Sequence, residues 1–165
     1  MGEKKKILMI DDETDLCLMV KENLEETGEF EVTTTSKAED AEALCIQQRP
    51  DLILLDNVMP GKKGSEIVKL IRNNPETKNM AVVMVSGKGE MVYSKKKDHF
   101  QWLPNNPMAR ARGSIADGKD ATSLANAYGV DDYISKPFTT ELLIEVIHDV
   151  LKRKTRQTES AEEGN

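Results

Sequence analysis

Two rhythms divide this chain. Short unbroken apolar runs, Ile7-Leu8-Met9-Ile10, Leu52-Ile53-Leu54-Leu55 and Met80-Ala81-Val82-Val83-Met84-Val85, are too short for helices and read as strands buried on both faces. Between them, apolar residues return every three or four positions. Leu16, Met19, Val20 and Leu24 predict a helix that stops at Gly28, and Ala38, Ala41, Leu44 and Ile46 predict another that ends at Arg49-Pro50. Ile67, Leu70 and Ile71 stripe a third from Gly64 to Arg72, and Leu142, Leu143, Val146, Ile147, Val150 and Leu151 stripe a closing one. Phe30 to Thr34 is β-prone and half polar, as an outer strand should be, and Asp131 to Ser135 predicts a last strand. Strands alternating with helices make βαβ units, hence α/β architecture, a parallel sheet and right-handed crossovers.

Two stretches break the rhythm. From Lys88 to about Asp120 there is no helical period, only Lys95-Lys96-Lys97, the sole Trp (Trp102) and Pro104-Asn105-Asn106-Pro107. Met91-Val92-Tyr93 and Phe100-Gln101-Trp102-Leu103 can pair there as a small hairpin. After Leu151 the chain turns basic and then acidic and polar, which predicts a fraying helix and a disordered tail over 155–165. The domain is therefore expected to span 4–154, with 88–119 as an insertion.

Composition narrows the function classes. With 38 % apolar and 32 % charged residues the chain has ordinary globular composition, and a net charge of -6 speaks against nonspecific nucleic-acid binding. No apolar run approaches the roughly 20 residues that span a bilayer, and Met1 to Lys6 lacks a signal-peptide core, so a cytoplasmic, membrane-free protein is expected. Cys17 and Cys45 lack metal-ligand spacing and read as small buried hydrophobes. His99 and His148 are isolated, where zinc or catalytic histidines need convergent partners.

The chemistry collects at strand ends. Asp11 and Asp12, Asp56, Ser86 and Lys136 each follow or close an apolar strand, where buried strands need no polar residue. The plain alternative makes Asp56, Asp11 and Asp12 helix N-caps, with Asp12 able to serve as cap and ligand together. If the strands take the 2-1-3-4-5 order, the first and third are neighbours and their carboxylates face each other across the switch point. Like charges about 4 Å apart repel by roughly 4 kcal/mol at a protein-like dielectric, so a cation belongs between them. Oxygen-only ligands in an open site favour Mg²⁺ over Ca²⁺. A carboxylate nucleophile, Mg²⁺, an ammonium and a hydroxyl together suit phosphoryl transfer.

Asp11-Asp12, Asp56 followed by Met59-Pro60-Gly61 and Gly64, Ser86-Gly87, and Tyr133-Ile134-Ser135-Lys136-Pro137-Phe138 together closely resemble the receiver domain of two-component response regulators. The resemblance implies a flavodoxin-like fold in which Asp56 accepts phosphate from a sensor histidine kinase or phosphotransfer protein. It implies Mg²⁺ held by Asp12, Asp56 and the Val58 carbonyl, with Asp11 acting through water. Lys136 would pair with the phosphoryl group, Ser86 would bond one of its oxygens, and the Lys136-Pro137 peptide would be cis. Ser86 and Tyr133 would act as switch residues that alter the face of the fourth helix, fifth strand and fifth helix; without the resemblance, Tyr133 is a half-buried edge-strand ring. Such a protein is a phosphoacceptor that assists its own phosphotransfer and dephosphorylation rather than an enzyme, with a downstream protein partner or a phosphorylation-dependent homodimer as its output.

The sequence departs from the receiver pattern twice. Val58 offers no polar side chain to a hydrolytic water, and 88–119 separates Ser86 from Lys136 by more than the family does. That segment stands as a solvated loop, a docking surface for a partner or second copy, or a lid over Asp56. Two rival functions stay open. One is a Mg²⁺-dependent phosphatase resembling the haloacid dehalogenase group, although Asp11-Asp12-Glu13 lacks its Asp-x-Asp spacing. The other is the receiver part of a longer DNA-binding regulator.

Overall fold

The computed structural model describes residues 2–86, 91–94, 99–102 and 129–163, with only the backbone described for Ser86, 91–94, 99–102, Ser135 and Glu163. In chain order the elements are β1 (Lys5–Ile10), α1 (Thr14–Glu26), β2 (Phe30–Thr35), a 3₁₀ turn (Ala38–Asp40), α2 (Ala41–Gln48), β3 (Leu52–Asp56), α3 (Gly64–Asn73), β4 (Ala81–Ser86), β5 (Met91–Ser94), β6 (His99–Trp102), β7 (Asp132–Ser135) and α4 (Thr140–Glu163). Five strands form one parallel sheet in the order β2-β1-β3-β4-β7, the 2-1-3-4-5 arrangement expected of a flavodoxin-like fold.

The unbroken apolar strands are explained by cover on both faces. Leu52 and Leu54 of β3 share a core with Cys17, Val20 and Leu24 of α1 and Leu143, Ile147 and Val150 of α4. Ile53 and Leu55 face the other way, against Ala41 and Cys45 of α2 and Ile67, Val68 and Ile71 of α3. Each strand thus feeds two cores, which is why its alternate residues are not polar. Both cysteines are buried and free, as small hydrophobes.

Helix phase differs from the expected stripes at two positions. Met19 is 44 % exposed and Leu70 37 %, while Cys17 and Val68 hold the inward positions. At about 100° per residue, the Val20–Leu24 and Ile67–Ile71 lines carry Met19 and Leu70 outward, so their side chains only skirt the core. The alternative in which Asp11 or Asp12 caps α1 does not form: Glu13 is its N-cap, without a side-chain cap bond, and the Asp11 carboxylate accepts the Glu13 N–H at 2.9 Å. Gly28, at φ +79°, turns the chain out of α1 in the left-handed region where a side chain would be strained.

Two further expectations meet the structure directly. The hairpin forms, with β5 and β6 antiparallel and Met91 opposite Trp102, although Leu103 and the rest of 88–119 outside these strands lie beyond the described residues. The disordered tail expected over 155–165 is instead helical as far as Glu163. Arg156, Gln157, Glu159, Ala161, Glu162 and Glu163 are good helix formers, so the helix continues after its apolar stripe ends. Among the described residues, no helix is long and apolar enough to cross a membrane.

Candidate functional site

Strand register builds the site. Ile10 of β1 lies opposite Leu55 of β3, so Asp11 and Asp56, each one residue further on, emerge together at the carboxyl edge of the sheet. One oxygen from each of Asp11, Asp12 and Asp56 lies within 4.8 Å of the others. Asp11 is fully buried, Asp56 is 4 % exposed and Asp12 opens to solvent. Asp56 does not cap the next helix, because α3 starts at Gly64 with Lys63 as its N-cap.

Lys136 arrives from the edge strand β7, through the cis Lys136-Pro137 peptide. Although β4 lies between β7 and β3, its Nζ reaches 2.7 Å from Asp11 Oδ2, 2.8 Å from Glu13 Oε1 and 3.7 Å from Asp56 Oδ1. One ammonium therefore faces three carboxylates, two of them buried. Burial opposes the Lys136 charge, but its bonds to Asp11 and Glu13 outweigh that and raise its pKa above the ordinary lysine value. Burial, and then the Asp11 charge, push the Asp56 carboxyl up to about 7, against the opposing pull of Lys136 and the Val58 N–H. That N–H is 3.5 Å from Asp56 Oδ1, a long contact that leaves the carboxylate weakly held.

The donor set fits a hard divalent cation. All three clustered acids offer oxygen and nothing softer. Asp11 Oδ2 is buried with the Lys136 ammonium as its one close partner among the described residues, so this anionic oxygen keeps coordination capacity to spare. A group that is only part ionised at neutral pH, as Asp56 is here, gains its full charge when a cation joins the cluster.

The remaining expected residues are placed as follows. Val58 is 66 % exposed on the loop after Asp56 and forms an isolated bridge with Lys63. Ser86 closes β4 opposite Ser135, at the same sheet edge as Asp56 and Lys136, and its hydroxyl lies outside the described atoms. Tyr133 is 3 % exposed in the core shared with α2 and α3, so its ring is buried rather than half-buried. The family's fourth helix, part of the expected signalling face, would fall between 103 and 128, outside the described residues.

Two contributors escaped the sequence reading. Glu13, quoted there only as part of an acidic run, is the second carboxylate bonded to Lys136. Gly64, noted as a motif position and the start of the third helix, packs its Cα against the main chain that carries Asp56. A Cβ there would stand 2.6 Å from the Asp56 carbonyl oxygen and 2.7 Å from Asn57 Cα, both of them backbone atoms. Gly64→Ala is therefore expected to displace the Asp56 loop, with a loss of stability of roughly 2–3 kcal/mol. Urea denaturation checks this; a variant within 0.5 kcal/mol of wild type, about the scatter of surface substitutions, would refute it.

Comparison with known proteins follows the same lines. The response regulator receiver domain family matches residues 7–98, a span that contains Asp11, Asp12, Asp56 and Ser86 and ends before Lys136. The chain is 31 % identical over 148 residues to the phosphate regulon transcriptional regulatory protein PhoB of Rhizobium meliloti, covering 90 % of this chain and 52 % of that protein. PhoB of Pseudomonas aeruginosa is 29 % identical over 149 residues, with the same coverages of 90 % and 52 %. The chain thus spans about half the length of the curated relatives it matches. Among solved structures, a CheY-like receiver domain from Methanospirillum hungatei aligns with a TM-score of 0.67 at 22 % identity, covering 94 % of this chain and 99 % of that one. The receiver domain of a Luxo repressor protein from Vibrio parahaemolyticus aligns with a TM-score of 0.68 at 18 % identity, covering 94 % and 96 %. At those identities the two structures speak for the fold alone.

Proposed function

The chain belongs to the response regulator receiver domain family, and from that premise we propose that Asp56 accepts a phosphoryl group from the phosphohistidine of a sensor histidine kinase or phosphotransfer protein. One observation carries this reading: three carboxylates and one ammonium, from three separated parts of the chain, converge at the carboxyl edge of the sheet. In the transfer an Asp56 oxygen attacks phosphorus, the O–P bond forms as the donor's N–P bond breaks, and the imidazole leaves with a proton from solvent. Asp11, Asp12, Asp56 and the Val58 carbonyl would hold Mg²⁺, which supplies charge neutralisation at the phosphoryl oxygens when bound.

The protein's own groups do the rest. The end of β3 brings the Asp56 carboxylate to the sheet edge, and the Lys136 ammonium stands within reach of charge that builds on the incoming group. Ser86, at the same edge, is the hydroxyl that would bond a phosphoryl oxygen. Phosphorylation replaces one carboxylate charge with about -2, and a shift from 1:99 to 99:1 between two states needs about 5.5 kcal/mol of differential stabilisation. Ser86 and Tyr133 would pass that change to β7 and α4 and so to a protein partner or a second copy. The phosphatase alternative has less support, since Asp11-Asp12-Glu13 after the first strand lacks the Asp-x-Asp spacing and the family match is to receiver domains.

Incubation with acetyl phosphate and Mg²⁺, followed by borohydride trapping and peptide mapping, is expected to place the modification on Asp56 and to lose it when EDTA replaces the metal. Modification at another residue, or equal labelling in EDTA, would overturn the assignment. A second reading is favoured by relatives named as transcriptional regulators and about twice the matched length. In it the chain is the receiver portion of a DNA-binding regulator, and the expected absence of nucleic-acid contact is limited to that portion.

A further inference from the structure

Among the described residues the five-stranded sheet ends on β2 at one edge and β7 at the other. In the β1–β2 ladder the Lys5 N–H bonds the Glu29 carbonyl and the Asp11 N–H bonds the Thr35 carbonyl, with Ile7 opposite Val32. Odd-numbered residues of β2 therefore turn their main-chain groups toward β1, and Phe30, Val32 and Thr34 turn theirs outward. An outward peptide in mid-strand is a template for another strand. The sequence of β2, Phe30-Glu31-Val32-Thr33-Thr34-Thr35, is β-prone and has none of the Pro or Lys residues that discourage strand addition.

At Val32 the template is already filled. Glu25 Oε1 accepts the Val32 N–H at 3.0 Å and Lys21 Nζ donates to the Val32 carbonyl at 2.6 Å. The two side chains also pair with each other at 3.1 Å, one turn apart on α1. Together they present the donor and acceptor that a neighbouring strand would bring. The Val32 N–H, and after it Lys21, hold the Glu25 carboxyl below the usual carboxylate range, in keeping with that contact.

We propose that the Lys21–Glu25 pair guards the open edge of β2 against addition of the same edge from a second copy of this chain. Two copies of β2 running antiparallel about a two-fold axis through Val32 would each offer the other the same free N–H and carbonyl, which is the isologous contact the pair pre-empts. Self-association is thereby left to other surfaces.

The test uses the full unphosphorylated chain with Lys21 and Glu25 both changed to Ala, beside a second variant, Lys21→Arg with Glu25→Gln, that keeps a donor and an acceptor. In dilute solution the Ala variant is expected to exchange its Val32 amide roughly tenfold faster than wild type, while the Glu31 and Thr33 amides, bonded into the β1 ladder, stay as they were. At about 100 µM it is expected to sediment with a larger dimer fraction than wild type, and the Arg/Gln variant to match wild type in both readouts. An unchanged Val32 amide, or an exposed amide without increased association, would overturn the proposal. So would association of the Arg/Gln variant as strong as that of the Ala variant, since the bonds to Val32 would then be irrelevant.

Discussion

Asp56→Asn is expected to abolish labelling by acetyl phosphate and, in the same protein, to raise stability at pH 8 when no divalent metal is present. The first effect follows from removing the attacking oxygen, because a neutral amide is no nucleophile at phosphorus. The second follows from the environment that makes Asp56 useful. Its carboxyl, ordinarily at 3.8, is pushed up to about 7, first by burial and then by Asp11. Between those two values the folded chain keeps a proton that the unfolded chain has released, so stability falls as pH rises through that window and the full cost stands above pH 7. At about 1.36 kcal/mol per unit, the ceiling is roughly 4 kcal/mol. Asn carries no such cost. Urea denaturation without metal is therefore expected to find the variant 2–4 kcal/mol more stable than wild type at pH 8, within that ceiling, with the difference shrinking toward pH 4. Added Mg²⁺ should narrow the gap at pH 8 by stabilising wild type more. A variant no more stable than wild type at pH 8 would show that Asp56 is not held under electrostatic strain.

What the sequence made legible and what it hid divide along a physical line. Leu52 to Leu55 had to lie between two layers because four apolar residues in succession fit nowhere else in a small α/β domain, and that placed Asp56 at the sheet's carboxyl edge. Asp11 and Lys136 were legible for the same reason, each standing at the end of its own strand. The contact of Glu13 with Lys136 depends on how the loop after β7 approaches the turn before α1, across 123 positions of sequence. Local pattern does not encode that. The outward rotation of Met19 and Leu70 is a matter of helix phase, which a three-or-four-residue repeat leaves uncertain by one position. Gly64 is the opposite case: its presence was plain, but the reason lies in the backbone of Asp56 and Asn57, visible only once β3 and α3 are set against each other.

Lys136→Met separates the two duties of the ammonium, because its readouts are expected to move in opposite directions. Among the described residues Lys136 is the only cation paired with Asp11 and Glu13, and its side chain is 13 % exposed. Removing it leaves Asp11 and Asp56 buried side by side without a counter-charge, a loss of roughly 3 kcal/mol of stability at pH 8 that Mg²⁺ should largely restore. Mg²⁺ itself should bind more tightly, by roughly tenfold, since a unit charge about 4 Å away works against it by about 1–4 kcal/mol. Labelling should nonetheless slow. One charge-assisted hydrogen bond to the phosphoryl oxygens is worth about 1.5–3 kcal/mol, or roughly 10- to 100-fold in rate. The Asp56 carboxyl, freed of the pull that lowers its pKa, should also need higher pH to ionise, which moves the metal-free titration upward. Calorimetric Mg²⁺ titration and acetyl phosphate labelling on the same preparation decide the matter. Weaker Mg²⁺ binding together with unchanged labelling would mean that Lys136 merely holds the edge of the sheet together and takes no part in phosphoryl transfer.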